Sequence, residues 1–222
     1  MLLLLFDIDG TLLQRASVEH AHALRTAAGE VHGVDLTGVD AIEYAGRTDR
    51  AIARDLLAAV GVTEIDEAWL ARAVSAYDPP DLSAKVAPGM VELLEALAAR
   101  PDDFKLSLVT GNLEAIAHRK LAAAGIGNYF EAGQGGFGSD DEDRGRLPGI
   151  ARRRASDPPW PRERTVVIGD TPRDIHCARV DEVRVAAVAT GHFSAEQLAE
   201  ADAVVDDARS LLPVLTDWLD RA

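Results

Sequence analysis

Lysine is almost missing from this chain. Only Lys85, Lys105 and Lys120 occur, and none follows position 120, so any cation needed in the C-terminal part must be an arginine. Asp and Glu total 37 against 23 Lys and Arg, a formal net charge of −14 over 222 residues. That balance argues against a nucleic-acid binder, whose affinity rests on neutralising phosphates with basic side chains. It says little against a small anion, because one local cation overrides a diffuse negative field. The single cysteine, Cys177, excludes an intramolecular disulfide and a thiolate zinc cluster and suits a reducing cytoplasm; it reads as a small buried hydrophobe. No run approaches the roughly 20 apolar residues that span a membrane. The opening MLLLLF lacks a basic flank, is too short for a secretory signal, and meets acids at once. Aromatics are 5%, and Trp69, Trp160 and Trp218 are scattered, as packing residues are. The six histidines, His20 and His22 included, show no ligand-like clustering and read as structural or exposed. These absences predict a soluble cytoplasmic protein with no nucleic-acid or membrane partner.

What is present is a repeated form. LLLLF (Leu2–Phe6), KLSLVTGN (Lys105–Asn112) and RTVVIGDT (Arg164–Thr171) are short apolar runs closing on Gly and polar residues, as strands buried on both faces do. RVAAVATG (Arg184–Gly191) and DAVVDD (Asp202–Asp207) read as two more. Helical patterns lie between them: GMVELLEALAAR after Pro88, LEAIAHRKLAAAG closing on Gly125, and PRDIHCARV from Pro172. Strands alternating with helices predict βαβ units and a parallel, doubly wound sheet. Residues 14–86 differ, being Ala-rich, without a strand run and with three helical patterns, and they end in the proline-bearing DPPDLSAKVAPG. The expected fold is α/β: a Rossmann-like parallel-sheet core with helices on both faces, from 1–13 and 87–222, and an inserted all-helical cap domain over 14–86.

Ligands of open parallel sheets bind at the carboxyl ends of the strands. Asp7, Asp9, Gly10 and Thr11 follow the first run; Thr110, Gly111 and Asn112 follow the second; Gly169, Asp170, Thr171 and, a turn later, Asp174 follow another. Two acids at the mouth of a buried strand raise each other's pKa unless a cation sits between them. Four carboxylates on strand ends form an all-oxygen set suited to a hard cation, and Mg²⁺ suits a few-carboxylate site. A carboxylate beside the metal can attack a phosphoryl group, and a second, two residues on, can protonate the leaving oxygen and later activate water. Thr110 and the amides around Gly10 and Gly111 could hold phosphoryl oxygens.

DIDGT after the first strand, the Thr of LVTGN and the later GDTPRD together resemble the haloacid dehalogenase superfamily. The resemblance covers nearly the whole chain and is closest to its helical-cap phosphatases, those similar to phosphoglycolate phosphatase. It implies that Asp7 is the nucleophile and forms an aspartyl-phosphate. It makes Asp9 the general acid/base that also gives its carbonyl to Mg²⁺, and Thr110 a phosphoryl contact. Asp170 would complete the metal site, with Asp174 orienting a ligand. The family's lysine before GDxxxD is absent; GSDDEDRGRLPG stands there, so Arg144 is expected in its place, with Arg146 as rival. In YAGRTDRA, Thr48 reads as an N-cap, and the resemblance places Arg47 over the site, binding an anionic part of the substrate.

The expected function is therefore Mg²⁺-dependent hydrolysis of a small phosphorylated metabolite, phosphoglycolate-like at the level of the family, by a monomer or homodimer. A phosphomutase on the same scaffold and a catalytically weak phosphate-ligand-binding protein are the alternatives. Dehalogenation is disfavoured, since it needs no Mg²⁺ and its enzymes lack an acid at the position of Asp9.

Overall fold

The computed structural model describes residues 1–40 and 42–221, so the far end of the expected core segment, Ala222, lies outside the described residues. Its centre is a six-stranded sheet in the order β3-β2-β1-β4-β5-β6, every neighbouring pair parallel. The strands are β1 (Leu2–Phe6), β2 (Phe104–Thr110), β3 (Gly136–Phe137), β4 (Thr165–Gly169), β5 (Arg184–Val188) and β6 (Ala203–Val205). The five strands expected from apolar runs are β1, β2, β4, β5 and β6; β3, two residues long, is below the length at which periodicity is visible. This is a Rossmann-like α/β fold.

Side chains alternate across a strand, and β1 is buried on both faces. Leu2, Leu4 and Phe6 join a cluster with Val166 and Ile168, α4 (Met90–Ala98), α5 (Glu114–Ala123) and α8 (Leu211–Asp220). Leu3 and Leu5 point the other way, into α6 (Leu147–Ala155) and α7 (Pro172–Val180), where Cys177 is fully buried. Helices thus cover both faces.

Between β1 and α4 the chain forms α1 (Val18–His32), α2 (Asp49–Ala58) and α3 (Ala68–Ala76). Their buried residues, among them Leu24, Ile52, Leu56 and Trp69, make a third cluster that reaches the core only at Leu113 and Ile116 of the α5 region. Among the described residues no helix is long and apolar enough to cross a membrane.

The strand order reverses at β1, which pairs with β2 on one side and β4 on the other. That switch point opens a crevice beyond the carboxyl ends of the central strands. The polar residues after β1, β2 and β4 are therefore brought together by topology.

Candidate active site

Asp7 continues β1, its backbone NH donating to the carbonyl of Ile168 at 2.9 Å, so its carboxylate is held at the switch point and is almost fully buried. Gly10 follows with φ 98°, a conformation that favours glycine. Space also demands it: a Cβ at Gly10 would lie 2.1 Å from Oδ2 of Asp170. The turn presses on Asp170 because Thr11 Oγ1 donates to Asp170 Oδ1 at 3.1 Å. Thr11 is fully buried and positions this carboxylate.

Asp174 is set by the start of α7. Thr171 is the N-cap and Pro172 opens the first turn; the Thr171 hydroxyl accepts from the Asp174 NH, and Asp174 Oδ2 accepts from the Thr171 NH at 3.0 Å. This capping box leaves Asp174 Oδ1 to accept from Arg144. Arg144 also lies 3.0 Å from Asp7 Oδ1, and its Nε is buried with no partner among the described residues. Arg146 is 69% exposed and pairs with Asp141 and Asp143. Of the two arginines, Arg144 is the one at the carboxylates. The acidic run around it is spent on nearby arginines: Asp140 on Arg154, Glu142 on Arg54, Asp141 on Arg146.

Asp7, Asp170 and Asp174 each offer one oxygen, all within 4.8 Å of one another. Three buried hard oxygens so close together suit a divalent cation. Burial pushes Asp7 up to about 7, with Asp174 and Asp9 adding to the rise against the pull of Arg144. Burial, Asp174 and Asp7 push Asp170 up to about 8. The folded, metal-free site thus keeps protons that the unfolded chain releases near pH 4. Between those values the native state binds more protons than the unfolded state, so this site's contribution to stability falls as pH rises from about 4 to about 8. A bound divalent cation favours the ionised carboxylates and reverses the trend. The melting temperature gained on adding Mg²⁺ over EDTA is expected to be larger at pH 8.5 than at pH 5.5. Equal gains at the two pH values would refute protonation of the metal-free site.

Asp9 behaves differently. Burial opposes its ionisation, but Lys120, His20 and a hydrogen bond from Asn112 outweigh it and hold the carboxyl well below the usual carboxylate range. Lys120 Nζ, on α5, is fully buried and sits 2.8 and 2.7 Å from the two Asp9 oxygens. Asn112 Nδ2 donates to Asp9 Oδ2 at 2.9 Å and to Thr110 Oγ1 at 3.1 Å. Thr110, expected at the phosphoryl group, therefore stands fully buried behind Asn112, and its hydroxyl braces that amide. Gly111 serves the insert: a Cβ there would overlap the Arg47 carbonyl oxygen at 1.9 Å, and its own carbonyl accepts from the Asp49 NH at 2.8 Å.

A cavity of about 580 Å³ lies between the strand ends and the insert. Of the expected residues, Asp7, Asp9, Gly10, Arg47, Asn112, Arg144 and Asp170 line it, while Thr11, Thr110, Gly111 and Asp174 stand behind them. Arg47 departs from expectation: its guanidinium donates to Asp55 Oδ2 at 2.6 Å and to the Ala51 carbonyl at 3.2 Å, tying it to its own helix. Thr48 is the N-cap of α2, accepting from the Ala51 NH.

Two contributors escape the sequence reading. Lys120 occupies the apolar stripe of α5 with Leu113, Ile116, Ala117 and Leu121, all buried. A lysine in such a stripe signals a buried acid. His20 likewise heads the stripe of α1 with Ala23, Leu24, Ala27 and Ala28. It lines the cavity and pairs through Nε2 with Asp49 Oδ2 at 3.0 Å; Asp49 Oδ2 also accepts from the Leu113 NH at 2.7 Å. His20 is thus part of the site wall and a link from insert to core.

Comparison with known proteins agrees with this architecture. The family model for haloacid dehalogenase-like hydrolases matches residues 4–179. Phosphoglycolate phosphatase of Rhodospirillum rubrum is 30% identical over 227 residues, covering 97% of this chain and 89% of that protein. Phosphoglycolate phosphatase 1 of Pseudomonas aeruginosa is 28% identical over 221 residues, covering 95% and 78%. Among solved structures, a beta-phosphoglucomutase from Clostridium difficile superposes with a TM-score of 0.68 at 19% identity, covering 100% and 98%, a likeness of fold.

Proposed function

The chain is a phosphatase of the haloacid dehalogenase-like hydrolase family, and we propose that it hydrolyses a small phosphomonoester with Mg²⁺ through an aspartyl-phosphate on Asp7. The observation that carries this reading is Asp7 itself, buried at the switch point against Arg144, with oxygens of Asp170 and Asp174 within 4.8 Å. The donors Asp7, Asp170 and Asp174 would hold the ion, which supplies positive charge beside the transferring phosphoryl oxygens.

An Asp7 oxygen attacks phosphorus as the P–O bond to the alcohol breaks. Arg144, which lines the cavity beside Asp7, offers a guanidinium donor to the anionic phosphoryl group. Asp9 gives the leaving oxygen a proton; water then attacks the aspartyl-phosphate while Asp9 takes a proton back. Lys120 and Asn112 hold Asp9 as a carboxylate, the state needed for the second step, so donation in the first step requires Asp9 to turn from Lys120 and take up a proton from solvent before it meets the ester. The products are the alcohol and phosphate.

Residues 14–86 act as a cap on the core formed by 1–13 and 87–222. Among the contacts between them, polar links stand beside the apolar join at Leu113 and Ile116: Thr48 Oγ1 donates to the Glu142 carbonyl at 2.8 Å, and Arg173 forks onto Glu43 at 3.0 and 2.9 Å. Such contacts exclude water during transfer and break for product release. The relatives' names make phosphoglycolate the first compound to try. Phosphate release from a phosphomonoester panel should appear with Mg²⁺ and vanish in EDTA. Release that persists in EDTA would overturn the metal-dependent reading.

A further inference from the structure

The cavity is larger than a two-carbon phosphate ester needs. At about 580 Å³ it falls among pockets of roughly 300–1,000 Å³ that bury much bigger ligands. Part of its lining is apolar: Val18, Ala21 and Leu24 from α1, Ile52 from α2, Tyr44 from the loop before α2 and Phe193 after β5, with Ser17, His20 and Asp49 standing among them. The Tyr44 hydroxyl is engaged by Arg25 Nη2 at 3.2 Å, which leaves its ring to the cavity.

The buried cations there are already engaged, by carboxylates or by the transferring phosphoryl group. The Arg47 guanidinium is held by Asp55, Arg144 lies between Asp7 and Asp174, and Nε2 of His20 faces Asp49. Arg15 and His192 also line the cavity with no partner among the described residues, but both are exposed, where an ion pair contributes little. Asp9 and Asp49 add negative charge to the same lining. A second anionic group on the substrate would be desolvated beside these acids without an unspent buried cation to receive it.

Resting on the phosphatase reading above, we infer that the alcohol portion of the substrate is uncharged and apolar, of branched-alkyl or arylalkyl type, and that it packs on the wall formed by α1, α2, Tyr44 and Phe193. The two-carbon acid phosphate named in the relatives is then a poor substrate for this chain. Hydrolysis remains the reaction throughout, with water in and alcohol and phosphate out.

The test compares kcat/KM for benzyl phosphate, isopentyl phosphate, methyl phosphate and 2-phosphoglycolate, with Mg²⁺ present. All four leave as alkyl alcohols protonated by the same acid, so differences report mainly on binding the body. Benzyl and isopentyl phosphate are expected to exceed 2-phosphoglycolate and methyl phosphate on the order of tenfold or more, chiefly through KM. Ala21→Lys places a cation on the apolar wall and should narrow or invert that ratio. Phe193→Lys, at a half-buried position of the loop after β5 that lines the same cavity, is the companion for the case in which Ala21→Lys does not fold. A preference for 2-phosphoglycolate, or a ratio unmoved in a folded lysine variant, overturns the inference and leaves the phosphatase standing. No phosphate from any of the four esters, with metal bound, overturns the phosphatase reading itself.

Discussion

Asp7→Asn is expected to reduce phosphate release on the order of 10⁴-fold or more while leaving the fold intact. The amide keeps the shape of the carboxylate but has no oxygen able to form a stable acyl-phosphate. The variant also separates catalysis from stability. Burial, reinforced by Asp174 and Asp9 against the pull of Arg144, raises the Asp7 carboxyl to about 7, so the metal-free native state prefers a neutral group there. An Asp with a raised folded pKa contributes a penalty that grows as pH climbs from about 4 to about 7, and Asn removes it. In EDTA, therefore, the melting temperature of Asp7→Asn should exceed the parent's by more at pH 8.5 than at pH 5. With Mg²⁺ the order should reverse, because the variant has lost one of three charged donors. Phosphate release within tenfold of the parent would remove Asp7 as the nucleophile.

The parts of this site legible in the sequence are those whose signal is local. Asp7, Asp170 and Asp174 each follow an apolar strand by a few residues, and a parallel sheet with its switch point at β1 brings such positions together whatever lies between them. Arg144, with Arg146 as its rival, is named because the resemblance calls for a cation before GDTPRD and lysine stops at position 120. The missed or misplaced residues depend on partners distant in sequence. Lys120 meets Asp9 across 111 residues and His20 meets Asp49 across 29, and only their places in apolar helical stripes hint at either. Arg47 was placed in the right loop, but Asp55, a turn further along α2 than any helix-start pattern would show, holds its guanidinium. Thr11, Thr110 and Gly111 adjoin the motif carboxylates in sequence, yet they support the lining from behind, a distinction that depends on side-chain direction.

Arg144→Met should produce the second large effect, and it acts on both stability and rate. Among the described residues Arg144 is the one cation touching the buried Asp7 and Asp174. Methionine fills much of the same space and leaves those carboxylates beside Asp170 with no counter-charge. Breaking a buried pair in this way costs about 3–5 kcal/mol, and in EDTA the loss should deepen from pH 6 to pH 8.5, as protonation ceases to relieve the repulsion. Mg²⁺ should restore much of the melting temperature, because a divalent ion supplies charge to the same oxygens. Rate should not recover alongside it: losing a donor to the transferring phosphoryl group costs on the order of 10²–10³-fold in kcat. One nitrogen, Nη2, meets both Asp7 and Asp174, so Arg144→Lys can return that charge but not the other guanidinium donors, and stability should recover further than activity. Arg146→Met, at a 69% exposed side chain paired with Asp141, should stay within about 0.5 kcal/mol of the parent. If thermal melts and phosphate release were to rank Arg144→Met beside Arg146→Met, the cation of this site would have to be sought in Lys120.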